Sequence, residues 1–160
     1  MTERACPPSI RRALTGHTTM TLAYADEDGP QAAAVLYAVD ADAAAGPVLY
    51  FVTSTGTRHG RALAGPGEGR VAFTAQQDGQ QWDGLTGLQG RGRCRPLGDD
   101  ERAAGWRVYT DRFPFVLESE RLRPALERTT LWELRPDWLR LIDNAQGFGH
   151  KEEWRPAGTP

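Results

Sequence analysis

The stretch "VLYFVTSTGTRHGRALA", residues 48–64, decides how the rest of the chain is read. Its first residues are β-branched and aromatic and follow a Gly-Pro break, which predicts a strand. Thr53, Ser54, Thr55 and Gly56 end that strand, and a short apolar helix pattern runs over 57–64. A strand end that passes straight into a helix start gathers unpaired backbone N–H groups at one point. Thr53, Ser54 and Thr57 add hydroxyls there, Arg58 adds a permanently charged fork, and His59 a titratable donor. On local chemistry alone the stretch serves either as a threonine-capped surface helix with a solvated arginine or as a cradle for an anion such as phosphate.

Strand signals recur on both sides of it. Upstream, 18–23 and 31–39 read as two strands joined by the acidic turn "DEDG", and Pro8–Leu14 as a short helix capped by Ser9. Downstream, "GPGEG" breaks the helix and "RVAFTAQ" forms a fourth strand. "LTGLQGRGRCRPL" is a long strand whose two faces differ. Gln89, Arg91, Arg93 and Arg95 share one face, and Leu88, Gly90, Gly92 and Cys94 the other. A face this small suits a tightly curved wall or a close backbone approach. Asp99 and Asp100 open a helix to about residue 111, and 117–127 is a further helix pattern containing Pro124. "TTLWELRP" and "DWLRLIDN" read as two last strands joined by a tight Arg-Pro-Asp turn. Six or seven strands joined by hairpins, with two or three short helices, predict a mostly β fold: an antiparallel barrel with peripheral helices.

The bulk properties narrow the function class. The 160 residues carry a net charge of −2, so no global positive field draws in nucleic acid. Eighteen arginines against the single Lys151, beside many Gly and Ala, follow from GC-rich coding rather than from RNA binding. Two cysteines, Cys6 and Cys94, are too few for a disulfide scaffold. "MTERACPPSIRRALTG" has no apolar leader, and no run approaches the roughly 20 apolar residues of a membrane span. The expectation is a cytoplasmic protein of one domain over 1–160, with a core over about 18–144 and a tail over 145–160. No phosphate loop of the GxxxxGK type, no dinucleotide GxGxxG, no HExxH and no GxSxG elbow is present. The three histidines and two cysteines lack metal-ligand spacing, so no metal is expected. Gln89, mid-strand on the basic side, has the paired donor and acceptor that suit the edge of a heterocycle, or is an ordinary exposed strand residue.

Taken in order, "LYFVTSTGTRHGRALAGPGEGRVAFT", "GLQGRGRCRPL" and "LWELRPDWLRLID" resemble the pyridoxamine 5′-phosphate oxidase-like, FMN-binding split-barrel superfamily over about Thr18–Asn144. The resemblance implies a six- to seven-stranded antiparallel split barrel. It implies a homodimer with FMN in two interface clefts and flavin-dependent oxidoreductase chemistry on a small molecule. It places Val52 and Thr53 against the flavin, Ser54 and Thr57 in the hydroxyl turn, Arg58 and His59 at the FMN phosphate, and Gln89 at the ring system. The sequence departs from the oxidase itself. His59 stands where a lysine is common, Ala32 and Tyr37 stand where the oxidase carries Arg and Lys, and its Arg-x-His reads Arg140-Leu141-Ile142. True pyridoxine-phosphate oxidation is therefore not expected. Related split barrels extend the alternatives to a deazaflavin or haem cofactor, and to a non-catalytic carrier. In the tail, Phe148 and His150 serve either as packing or as a cover for the cleft, and Trp82 is a candidate substrate-side lid.

Overall fold

The computed structural model describes residues 5–65 and 69–158. Part of the "GPGEG" break, residues 66–68, lies outside them. Seven strands form one antiparallel sheet: β1 (Thr19–Asp26), β2 (Gly29–Asp40), β3 (Val48–Val52), β4 (Arg70–Gln76), β5 (Thr86–Pro96), β6 (Leu131–Asp143) and β7 (Lys151–Trp154). Their order is β3-β2-β1-β4-β5-β6-β7, and a second pairing of β3 with β6 closes the barrel. The helices are α1 (Pro8–Gly16), α2 (Arg58–Ala64), α3 (Asp99–Arg112), α4 (Phe115–Glu118) and α5 (Leu122–Glu127). Among the described residues no helix is long and apolar enough to cross a membrane.

The closure rests on Trp132. It pairs across the strands with Phe51, and the two rings stack with centroids 6.2 Å apart. Its indole N–H donates to the Thr53 carbonyl at 3.0 Å, so a large buried ring also keeps its polar edge satisfied. The barrel interior is filled by Met20, Leu22, Tyr37, Phe73 and Leu139, and a second cluster around Tyr109, Phe113 and Val116 seats α3 and α4 on the outside. Tyr37 is fully buried and donates its hydroxyl to the Leu14 carbonyl at 2.6 Å, tying α1 to the barrel.

The small inner face of β5 has the expected cause. A Cβ on Gly90 would stand inside the Phe73 ring, and one on Gly92 would meet the Arg135 carbonyl. The two strands expected from "TTLWELRP" and "DWLRLIDN" are instead one strand, β6. Its register against β5 slips between Arg91 and Gly92, which face Trp138 and Pro136, so Asp137 is an extra residue without a partner. This is a β-bulge. Pro136 sits beside it, where the missing N–H disturbs the ladder least. The bulge reverses the alternation: Trp132 and Leu134 point inward before it, Leu139 and Leu141 after it. Trp138 and Arg140 are thereby turned to the outer face.

The tail is the seventh strand, β7, paired with β6 from Leu139 to Ile142. The helix pattern at 117–127 divides into α4 and α5, with Pro124 in the first turn of α5, where no N–H is needed. Ser9 does not cap α1; Pro7 occupies the cap position, and the Ser9 hydroxyl donates to Glu152 at 2.5 Å. Gly98, not an aspartate, precedes α3, and Asp99 and Asp100 fill its first turn.

Two substitutions test this account by urea denaturation. Trp132→Phe is expected to cost about 2–3 kcal/mol, from the orphaned Thr53 carbonyl and the space left in the core. Tyr37→Phe is expected to cost about 1 kcal/mol through one lost hydrogen bond.

Candidate functional site

At the end of β3 the backbone is fixed before any ligand is considered. The Thr53 N–H donates to Thr130 at 3.2 Å while its carbonyl takes the Trp132 indole. Thr57 caps α2: its hydroxyl oxygen accepts from the Gly60 N–H at 3.0 Å and lies 2.8 Å from the Ser54 carbonyl, to which it donates. The Ser54 hydroxyl accepts from the Gly56 N–H at 3.0 Å. The buried Thr53 hydroxyl lies 2.7 Å from His59 Nε2. Burial lowers the His59 pKa, so the imidazole is neutral near pH 7. Val52 pairs with Leu131 and packs with the outer cluster beneath α3.

Arg58 points to the β1–β2 hairpin. Its Nε donates to Asp26 at 2.8 Å and its Nη2 to Asp28 at 2.6 Å. The guanidinium holds the Asp26 carboxyl below its usual range. A phosphate arriving at Arg58 therefore competes with two carboxylates supplied by the same chain. Arg61, one turn on, donates to the Gly56 carbonyl.

Gln89 stands elsewhere, on the outer face of the sheet. Cross-strand register lines up Ala34, Thr21, Thr74, Gln89, Arg140 and Glu153 in one row. The next row holds Ala32, Ala23, Ala72, Arg91 and Trp138. Together the two rows form a trough of about 490 Å³ floored by Thr21, Ala23, Ala72 and Thr74, with Gln89, Arg91, Trp138 and Arg140 along one side. Arg140 and Trp138 both donate to Glu153, at 2.7 and 3.2 Å. The guanidinium carbons of Arg91 and Arg140 lie over the Trp138 ring, 4.7 and 4.9 Å from its centroid. The depression at Arg58, bounded by Ala25, Asp26, Asp28 and Arg61, is a separate one.

Within the chain the structure thus brings Thr53, Ser54, Thr57 and His59 together, hands Arg58 to the acidic hairpin, and leaves Gln89 in the trough. Ala32 is exposed on the outer face of the sheet and Tyr37 is buried inside the barrel. Trp82 and Phe148, 71% and 86% exposed, meet edge to face at 6.3 Å. Asn144 holds both loops, donating to the Trp82 carbonyl at 2.7 Å and accepting from the Gly149 N–H at 3.0 Å. His150 lies exposed in the β6–β7 connection, whose strand pairs with β6 rather than folding over the trough. Sequence reasoning overlooked Trp138 as a neighbour of Gln89 in the trough and Glu153 as the partner of Arg140. Period two from Gln89 does point to Arg91, but only the bulge brings Trp138 and Arg140 to the same side.

The sequence pattern of the pyridoxamine 5′-phosphate oxidase family matches residues 6–143. The chain belongs to that family. It is 32% identical over 147 residues to a UPF0306 protein of Klebsiella pneumoniae, covering 92% of this chain and 91% of that one. The family's barrel recurs at lower identity in solved structures. A haem-binding protein from Mycobacterium smegmatis superposes with a TM-score of 0.70 at 19% identity, over 95% of this chain and 60% of the other. The haem storage protein HutZ from Vibrio cholerae superposes with a TM-score of 0.60 at 15% identity, over 96% of each chain. Likeness at this level establishes the shared barrel.

The depressed His59 pKa sets a pH dependence. The unfolded chain takes up this proton more readily than the folded one, so His59 supports stability above the ordinary histidine value of 6.5. That support is lost as the pH falls from there through the lower folded value. In urea melts at about pH 7.5 and about pH 5, the drop in midpoint is expected to be smaller for His59→Gln than for the parent. An equal drop would exclude His59 as the responsible group.

Proposed function

We propose that this chain is a homodimeric FMN-binding protein acting as a flavin-dependent oxidoreductase on a small molecule, with the cofactor between the trough and a second copy. The observation that carries this reading is the outer face of β2, β1 and β4. Its central residues are Ala32, Ala34, Thr21, Ala23, Ala72 and Thr74, all small and uncharged, and Leu36 beside them is 41% exposed. A solvated antiparallel face ordinarily alternates to polar and charged residues. A flat, neutral one is suited to burial against another surface.

The residues present are compatible with FMN. The Gln89 amide has no side-chain hydrogen bond among the described residues and borders a floor on which a flat heterocycle can lie. Ser54, Arg61 and Arg58 are the groups for the phosphate, with Arg58 exchanging Asp26 and Asp28 for it. Bound FMN would supply hydride or electron transfer. The chain's own part is to anchor the phosphate, orient the ring through Gln89 and exclude water from the ring face against the partner copy.

A second reading has its own support. Arg58 is already paired with two carboxylates, whereas Arg91, which lies over the Trp138 ring, borders the trough floor with a charge that suits a carboxylate of a haem. The haem-binding relatives of the same fold are consistent with this cofactor.

One preparation separates the readings. The purified protein mixed with FMN is expected to show the two visible bands of bound flavin and to sediment as a dimer. A Soret band on adding haemin, without flavin uptake, selects the second reading. A colourless monomer with either cofactor overturns both. With flavin bound, anaerobic bleaching by NADH or NADPH distinguishes an oxidoreductase from a carrier. Arg58→Ala is expected to weaken FMN binding about tenfold, roughly 1.4 kcal/mol, and Asp28→Asn to tighten it by removing a competitor for Arg58. Unchanged affinity in both would place the phosphate elsewhere.

A further inference from the structure

We propose that the cavity between the start of α1, the β2–β3 connection and the chain after β7 binds a free amino acid with an apolar side chain. The cavity shares no lining residue with the trough, so the assignment is independent of the cofactor the protein takes.

Its volume of about 390 Å³ lies within the range of small-ligand sites. Segments distant in the chain build it. Cys6 and Arg11 come from α1 and the residues before it, 41–46 from the β2–β3 connection, and Trp154 from the end of β7. A Cβ on Gly46 would stand in the Trp154 indole, so the connection runs directly against that ring. Ala41, Ala43, Ala44 and Ala45 line the same connection, and none has a side chain large enough to fill the space. Burial pushes the Cys6 thiol up to about 11, which leaves it a neutral, apolar wall group at pH 7.

Among the described residues two charged side chains line this apolar space, and they are of opposite sign. Arg11 Nη1 donates to Asp42 Oδ1 at 2.8 Å. Asp42 is exposed, and an exposed pair of this kind contributes little and exchanges readily. The other edge of the guanidinium is idle. Nε is buried without a partner, and Nη2 makes no hydrogen bond among the described residues. Nε and Nη2 are the parallel donors of the fork that takes a carboxylate two-pronged. A buried N–H left unsatisfied is uncommon and destabilising, and a small swing of the side chain onto a ligand carboxylate would satisfy it. An anion alone meets Asp42, and a cation alone meets Arg11. A zwitterion answers both, with its carboxylate on the idle edge of Arg11 and its ammonium on Asp42. An α-carbon sets those two groups side by side, as Arg11 and Asp42 are set, and leaves the side chain to the alanines, Cys6 and Trp154.

Calorimetric titration of the purified protein with L-leucine and L-phenylalanine tests this. Each is compared with its analogue lacking the ammonium, 4-methylpentanoate or 3-phenylpropanoate, and with its analogue lacking the carboxylate, 3-methylbutylamine or 2-phenylethylamine. The better-bound amino acid is expected to exceed both of its analogues by at least about tenfold. Arg11→Gln should weaken it by at least about tenfold, whereas Arg12→Gln, next on α1 and outside the cavity, should leave it within about twofold. Asp42→Asn should weaken the amino acid and tighten the carboxylate analogue, because it removes both an acceptor for the ammonium and a competitor for Arg11. Binding of neither amino acid, analogues that bind equally well, unchanged affinity in Arg11→Gln, or an equal loss in Arg12→Gln would overturn the assignment.

Discussion

The hydrogen bond from the Trp132 indole to the Thr53 carbonyl is the contact on which the remaining architecture depends. It joins β6 to the end of β3 at the place where strand gives way to turn. It reinforces the seam that the β3–β6 ladder makes at that level and helps fix the Thr53 backbone from which its hydroxyl reaches His59. The same residue thus serves closure on one side and the helix start on the other. A strand end that must present side chains at a defined angle needs both backbone groups committed, and Thr53 has them committed to β6 and to the residue just before it.

The bulge at Asp137 is the second constraint. A strand alternates strictly, so Trp132, Leu134, Trp138 and Arg140 would share one face if β6 were regular. The interior has room for the first two. A buried Arg140 would be an unpaired charge at high cost. One inserted residue resolves the conflict and delivers Trp138 and Arg140 to the outer face opposite Gln89 and Arg91. The trough is therefore a product of the same irregularity that lets one long strand serve both the closure with β3 and the pairing with β7.

Electrostatics separates the two ends of the proposed ligand region. At α2 the positive charge of Arg58 is matched by Asp26 and Asp28, and His59 is kept neutral by burial. At the trough the matching is incomplete, because Glu153 serves Arg140 and Arg91 rests on an indole. The positive charge at the start of α2 is thus largely neutralised, and the excess lies on the outer face of β5, the face that the sequence already marks as basic.

Much of this was legible in the sequence. The strand at Val48–Val52, the Thr57 cap, the two-faced β5 and the antiparallel barrel class follow from periodicity and turn chemistry, which act over a few residues and leave local marks. The family followed from the order of three segments. What the sequence could not disclose depends on register. Asp137 reads as a turn residue beside a proline, and nothing local distinguishes a turn from a bulge in a continuous strand. Asp26 and Asp28 read as hairpin chemistry, and only the docking of α2 on β1 sets them against Arg58, some 30 residues away. Local sequence determined which elements form and which faces they bury, because those choices are made by neighbouring residues. The tertiary structure alone decided which charges meet, because ion pairing across a closed sheet is fixed by the register of strands distant in the chain.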